Sequence, residues 1–532
     1  MDPEEEAQLE VAAPTGVFAG SQGKDFKTLA AGTAQNIVGL VVFVVGTFGA
    51  NILISRAFGA SGPVALGIVT LGTQFAFIAA AGTRFGMDMA SVRYVAIEVG
   101  AGHPGRVRPV VMRAAIIAGS VSVVLGFVTF ALAGPIGRAL GANTAEQSIA
   151  AIRAGALAIP FVALTYTWLG GSRGLKVMRH TLYVQWVAQP LLWIVLMLVL
   201  WRVIDKTEAV AVWAYAGSWI IAAVGAWYFW GTISRGFTRE EPDPGLTGKI
   251  VRYGAPRATA ALLSQGLFWI DFFVASAFVS SGYVTSSEIG VYSACVRAAL
   301  IMVLFLTAVS YVFAPFVADL HERGETARLD TLFKTITRWT VAGTIPVLLL
   351  MLVIPAAILA MFGKADFASG AEALRILVIG QAINVSVGAA GFVLIMAGRT
   401  GWDLVVYVLS AILDLVLSLI LIPKYGINGA AAAQAITIAC SNWLRLVLVR
   451  RFVGIFPWDR SYARLAVPAG ACALAMVAVA AIVSSAAWYV QIALVGGIGV
   501  AVYVPVLLAV GLTSGEKVAM RNGLAKLRGR ST

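Results

Sequence analysis

Apolar runs long enough to cross a membrane recur along almost the whole chain, broken by short stretches of Gly, Pro and charge. A helix needs about 20 mainly apolar residues to cross a hydrocarbon core of about 30 Å. Read that way, the first group of spans falls near 28–54, 64–87, 109–134, 148–170, 181–204 and 210–233. A second group follows near 248–279, 288–316, 336–362, 371–397, 402–422 and 427–449, and a last pair near 463–485 and 488–512. Strand-like alternation is absent, so the backbone must be satisfied within helices. The pattern predicts an all-α polytopic membrane protein of about fourteen transmembrane helices.

Charge decides the orientation. Only 12% of the residues are charged and 59% are hydrophobic, which excludes water as the solvent for most of the chain. The net charge of +13 sits in clusters between spans, so it points to an anionic leaflet and not to nucleic acid. Of the 39 Lys and Arg, 27 fall on the side that also holds both termini, which predicts cytoplasmic termini; the expected location is a bacterial inner membrane. The start, with Asp2, Glu4, Glu5, Glu6 and Glu10, lacks the basic and apolar regions of a secretory signal. Cys295, Cys440 and Cys472 lie inside apolar runs without metal-ligand spacing and read as small packing residues.

Sliding the chain by about 223 residues lays Gly67-Ile68-Val69 on Gly290-Val291-Tyr292. The expected organisation is therefore a disordered tail (1–26), a six-helix lobe (27–234) and a second lobe with its preceding linker (235–452). A terminal helix pair (453–512) and a basic tail (513–532) follow, with Leu524 and Leu527 on one face of that tail. Transporters commonly place their substrate site between such parallel repeats.

Several phrases carry a resemblance. They are Ser55-Arg56-Ala57-Phe58-Gly59 after span one, Gly254-Ala255-Pro256 early in span seven, and Glu288-Ile289-Gly290-Val291-Tyr292-Ser293 opening span eight, which closes on Ala314-Pro315. Further on come Phe362-Gly363 with Phe367, Ala373-Leu374-Arg375-Ile376-Leu377, Ala397-Gly398-Arg399, and the run from Leu421 to Ala431 that contains Pro423-Lys424-Tyr425-Gly426. In order and spacing they resemble the polysaccharide-export (O-antigen type) flippases of the multidrug/oligosaccharidyl-lipid/polysaccharide exporter superfamily. The resemblance implies a V-shaped pair of lobes, a cavity lined by spans one, two, seven and eight, and alternating access. It implies a polyprenyl-diphosphate oligosaccharide as cargo, a role in cell-surface polysaccharide synthesis beside glycan polymerase machinery, and a proton or sodium gradient as the drive in place of a bound cofactor. By analogy with the lipid II flippase, the last two helices would form a groove for the lipid tail.

Ionisable residues within spans cost about 2.5 to 3.5 kcal/mol each on insertion scales and so mark candidate sites. Asp271 in span seven and Arg297 in span eight lie at nearly one depth. They read either as a structural ion pair or as a gate in which the cargo's diphosphate competes with Asp271 for the guanidinium. Arg84, Arg257 and Arg56 extend a cation ladder for the diphosphate, although Arg84 and Arg257 can equally snorkel to headgroups and Asp88 can neutralise Arg84. Asp414 in span eleven is a second ion-coupling candidate, with Gln381 or Asn384 as expected polar partners.

A cation-coupled drug exporter of the same superfamily is the alternative. The short outer loops, and His103, His180 and His321 all on the cytoplasmic side, speak against a membrane glycan polymerase or glycosyltransferase. The absence of a nucleotide-binding Gly-rich loop or soluble domain speaks against an ATP-driven pump in one chain as well, and the chain reads as a non-enzyme.

Overall fold

The computed structural model describes residues 22–238, 240–363 and 365–512. Residues 1–21 and 513–532 of the predicted tails, with Leu524 and Leu527, lie outside the described residues, whereas residues 22–26, expected to be disordered tail, open the first helix. Within them the chain is helical and contains no strand. Span one is Gln22–Ala57, span two Gly62–Thr83, span three Val107–Ala131, span four Ala145–Gly174, span five Arg179–Val203 and span six Glu208–Ser234. Span eight is Ser286–Glu322, span nine Thr326–Val353, span thirteen Arg460–Ile482 and span fourteen Trp488–Gly511.

Three of the expected spans are not simple rods. Span seven is two helices, Leu246–Gly266 and Ile270–Ala277, bent by 63° at the break. Span ten breaks at Gly388 into Ala371–Val387 and Ala390–Met396. Spans eleven and twelve form one helical stretch of 53 residues, Thr400–Phe452. As a straight rod it would reach about 80 Å at 1.5 Å per residue, far beyond a bilayer. It reverses at Gly426, whose φ of 56° and ψ of −136° suit only glycine. Contacts across the reversal prove the hairpin: Asp414 meets Thr437 at 3.3 Å, and Asp403 meets Arg445 at 3.3 Å. Twelve helices are long and apolar enough to cross a membrane; the bent span seven makes thirteen, and counting both arms of the hairpin brings the number to fourteen.

Span two ends four residues earlier than expected, and a separate helix, Met87–Gly100, follows it where a loop was predicted. The reason is local. Phe85 and Gly86 take φ values of 51° and 66°, which turns the chain as it meets span seven. A Cβ on Gly86 would sit 2.4 Å from the Gly254 carbonyl oxygen, and one on Gly254 would sit 2.4 Å from the Phe85 oxygen. Two backbones touch there, and only glycine permits it.

Spans three to six pack around a core rich in Ala, Val and aromatic rings, with Trp193, Tyr215, Trp219 and Trp230 buried in it. A second core joins Phe272, Tyr292, Phe362 and Phe367 to Leu66, Leu71 and Ile149 from the first half of the chain. Spans thirteen and fourteen pack on span nine through Cys472, Met476, Val495 and Tyr503, whose hydroxyl donates to the Ala342 oxygen at 2.7 Å. Their other faces carry exposed Leu474, Val477, Ile482 and Val500, as a lipid-facing surface requires.

Candidate functional site

The Lys/Arg-rich end of the bundle is taken as inner. Toward the outer end, span two crosses span eight at a distance set by two glycines. A Cβ on Gly67 would lie 3.2 Å from the Gly290 nitrogen, and one on Gly290 would lie 1.6 Å from the Pro63 oxygen. One turn deeper, Thr70 Oγ1 is 3.2 Å from Ser293 Oγ. Both pairs, 67 with 290 and 70 with 293, are separated by 223 residues, the offset of the internal repeat. Positions related by a two-fold operation that touch each other must lie on its axis. On a two-fold reading of the repeat, the crossing would be its pseudo-dyad.

Arg297 reaches the same point. Its Nη2 donates to Thr70 Oγ1 at 2.9 Å, and its guanidinium lies 5.1 Å from the Trp269 ring centroid. The side chain is half-buried, its Nε has no hydrogen-bond partner, and it forms no ion pair among the described residues.

The expected pairing of Arg297 with Asp271 is absent. Asp271 is fully buried, accepts from the Phe272 amide at 2.8 Å and takes the Tyr292 hydroxyl on its other oxygen. Tyr292 and Arg297 are five residues apart on one helix, about 140° around the axis at 3.6 residues per turn. Gly290, Ser293 and Arg297 line one face, toward span two; Tyr292 looks another way, toward span seven. Equal depth does not place two side chains on facing sides.

Asp414 is also fully buried and sits within electrostatic reach of Asp271, with Tyr292 in reach of both. Its expected partners are elsewhere: Asn384 Nδ2 donates to Gln381 Oε1 at 3.1 Å, and Asn384 Oδ1 accepts from Asn442 Nδ2 at 3.0 Å. Asp414 instead takes the Thr437 hydroxyl across the hairpin, and its Oδ2 is left without a partner. The structure thus gathers the two carboxylates on one side of span eight and the guanidinium on the other.

The remaining arginines do not form a ladder with Arg297. Arg84 is buried, 3.5 Å from Asp88 and 4.1 Å from the Tyr166 ring centroid, so its charge is already balanced. Arg56 donates to the Met361 and Ala360 oxygens at 2.7 and 3.1 Å and lies 5.1 Å from the Trp488 centroid. It caps the chain end after Pro355–Leu359 and ties together span one, the end of span nine and the terminal pair. Arg257 is exposed at the inner end, 4.6 Å from the Tyr253 centroid.

Sequence reasoning missed one intramembrane pair. Asp403 and Arg445, both nearly buried, form an ion pair with Arg445 also 4.9 Å from the Tyr407 centroid. Their near-equal distance from the turn at Gly426 was the available signal. In the linker before span seven, the Lys249 ammonium holds the Asp243 carboxyl below the usual carboxylate range.

Comparison with known proteins follows this geometry. Residues 37–199, covering spans one to five, match the MatE family. Over 229 residues the chain is 24% identical to the probable low-salt glycan biosynthesis flippase Agl15 of Haloferax volcanii; the match spans 42% of this chain and 47%, under half, of that relative. An inward-facing multidrug resistance MATE transporter of the MOP superfamily superposes with a TM-score of 0.66 at 14% identity, covering 79% of this chain and 98% of its own. The lipid II flippase MurJ, in an inward closed conformation, superposes with 0.65 at 13% identity, covering 90% and 98%. The protein is a multi-pass membrane protein with the fold of the MOP superfamily. The resemblance carried by the sequence phrases is borne out at that level.

Proposed function

We propose that the protein is a flippase that carries a polyprenyl-diphosphate-linked oligosaccharide across the cytoplasmic membrane by alternating access, with both termini cytoplasmic. The observation that carries this reading is Arg297: a half-buried guanidinium at the crossing of spans two and eight, without a carboxylate partner among the described residues and with Nε unpaired. An intramembrane cation without a counter-ion suits an anionic cargo, and guanidinium binds phosphate oxygens bidentately. The glycan flippase relative of H. volcanii supports the choice of cargo. So does the broader coverage by the lipid II flippase than by the multidrug transporter, a margin near the length of the terminal pair.

Buried Asp271 and Asp414 favour a second reading, a cation-coupled exporter of drugs or other small molecules, because carboxylates with no cationic partner among the described residues suit cationic cargo. Within the first reading they are the site where a proton or sodium ion couples to transport. Deleting the gene and quantifying lipid-linked oligosaccharides by mass spectrometry separates the two. The flippase reading expects a complete lipid-linked glycan to accumulate, to clear with the wild-type gene, and to clear at least tenfold less with Arg297→Ala at equal expression. Unchanged lipid intermediates together with new sensitivity to cationic drugs would establish the exporter instead.

A further inference from the structure

Around the inner end of span seven, four acidic side chains are paired among the described residues. Asp88 holds Arg84, Glu98 and Glu240 hold Arg106, and Asp243 holds Lys249. Two guanidiniums in this neighbourhood have no carboxylate partner among the described residues. Arg93, on the helix Met87–Gly100, lies 4.7 Å from the centroid of the Tyr253 ring, and Arg257, one turn beyond Tyr253, lies 4.6 Å from the same centroid. The two cations are therefore no further apart than those two distances together, with an aromatic ring as their shared support.

The support is itself braced. Tyr94 packs edge-on against Tyr253 at 6.0 Å, and its hydroxyl donates to the Lys249 oxygen at 3.1 Å. Arg93 and Arg257 are both exposed, while Tyr253 between them is half-buried. The cluster adjoins the Gly86–Gly254 contact, and its residues come from both halves of the chain.

Two like charges held close without a counter-ion repel each other, and an anion with oxygens on two neighbouring centres relieves both at once. We propose that Arg93, Arg257 and Tyr253 form a cytoplasmic-end binding site for a diphosphate group, assembled from the helix after span two and the start of span seven. The same chemistry is offered by the diphosphate of a lipid-linked cargo and, less well, by the single phosphodiester of an anionic phospholipid. As an entry site for cargo it rests on the flippase reading; as an anion site it does not. Sugars leaving the diphosphate would extend into the cytoplasm, and the lipid tail would lie along the bilayer.

The test uses the full-length protein in phosphatidylcholine nanodiscs, titrated with inorganic pyrophosphate by calorimetry. Arg93→Gln and Arg257→Gln should each weaken binding tenfold or more, Tyr253→Phe should preserve it, and Tyr253→Leu should weaken it. Arg328→Gln, which removes an exposed arginine paired with Glu325, should change nothing. Competition then assigns the source: displacement of pyrophosphate by undecaprenyl diphosphate but not by phosphatidylglycerol marks the cargo, and the reverse marks a phospholipid site. Melting temperatures of the variants separate lost binding from lost folding. Undiminished pyrophosphate binding by folded Arg93→Gln and Arg257→Gln overturns the site. If wild type clears no lipid-linked glycan in cells while the variants still lose pyrophosphate, the flippase reading fails and the anion site stands.

Discussion

Charge on the helices of this protein is handled in three ways, and each has its own cost. Asp403 and Arg445 neutralise each other across the hairpin; Arg56 is held by backbone carbonyls; Arg297 is left with a hydroxyl, a ring and an unpaired Nε. Breaking a buried pair leaves an uncompensated charge and costs about 3 to 5 kcal/mol, whereas replacing both partners with apolar residues is often neutral. Asp403→Leu should accordingly lower the melting temperature in detergent sharply, and Asp403→Leu with Arg445→Met should recover most of the loss. A double variant as unstable as the single one would mean that the pair does more than cancel charge. At this scale the sequence is a partial guide. It shows which ionisable residues lie within spans and at what depth, but not the helix face each occupies. That is why Asp271 and Arg297 look paired in the sequence while Tyr292 and Thr70 are the partners in the fold.

Among the elements, continuous apolar rods are the most legible and interruptions the least. Spans three to six fall within a few residues of the hydrophobic runs because hydrocarbon imposes both length and helicity. The breaks at residues 267–269 and at Gly388 are invisible to hydropathy, since the residues around them are as apolar as the rest of the span. The helix Met87–Gly100 escapes for the opposite reason: Asp88, Arg93 and Glu98 give it the look of a loop, and its packing against the inner end of span four makes it a helix. Gly426 is the exception, where a Pro-Lys-Tyr-Gly phrase marks the turn in advance. Alanine there must adopt a conformation that costs about 1 to 3 kcal/mol. Gly426→Ala should lower stability by that amount without changing the melting of a Gly401→Ala control, whose Cβ would meet nothing within 4 Å.

For the whole molecule, the crossing of spans two and eight is the contact that the proposed alternating access would have to break. Gly290→Ala places a methyl group where the Pro63 oxygen already stands, so the outer end cannot close as it does in this structure. Ser286, at the rim of the small cavity beside the crossing, provides the readout when changed to cysteine. Labelling of Ser286→Cys by a membrane-impermeant maleimide should rise severalfold on adding Gly290→Ala; unchanged labelling would show that this crossing does not gate access. The two-lobe organisation expected from the 223-residue offset bears on the same point, because equivalent residues of the two repeats meet there.

A residue on a two-fold axis faces its own copy. In a symmetric ancestor made of two identical six-helix chains, the position now held by Thr70 and Ser293 would have touched itself, and any arginine one turn deeper would have arrived in duplicate, two cations side by side in the bilayer. Arg297 has Gln74 as its counterpart 223 residues earlier, so the pair carries one guanidinium and not two. Nothing in that arrangement requires the charge to sit in the second half. Gln74→Arg combined with Arg297→Gln should restore glycan clearance that Arg297→Gln alone abolishes, and a swapped protein that stays inactive would mean the two halves have specialised beyond this one exchange.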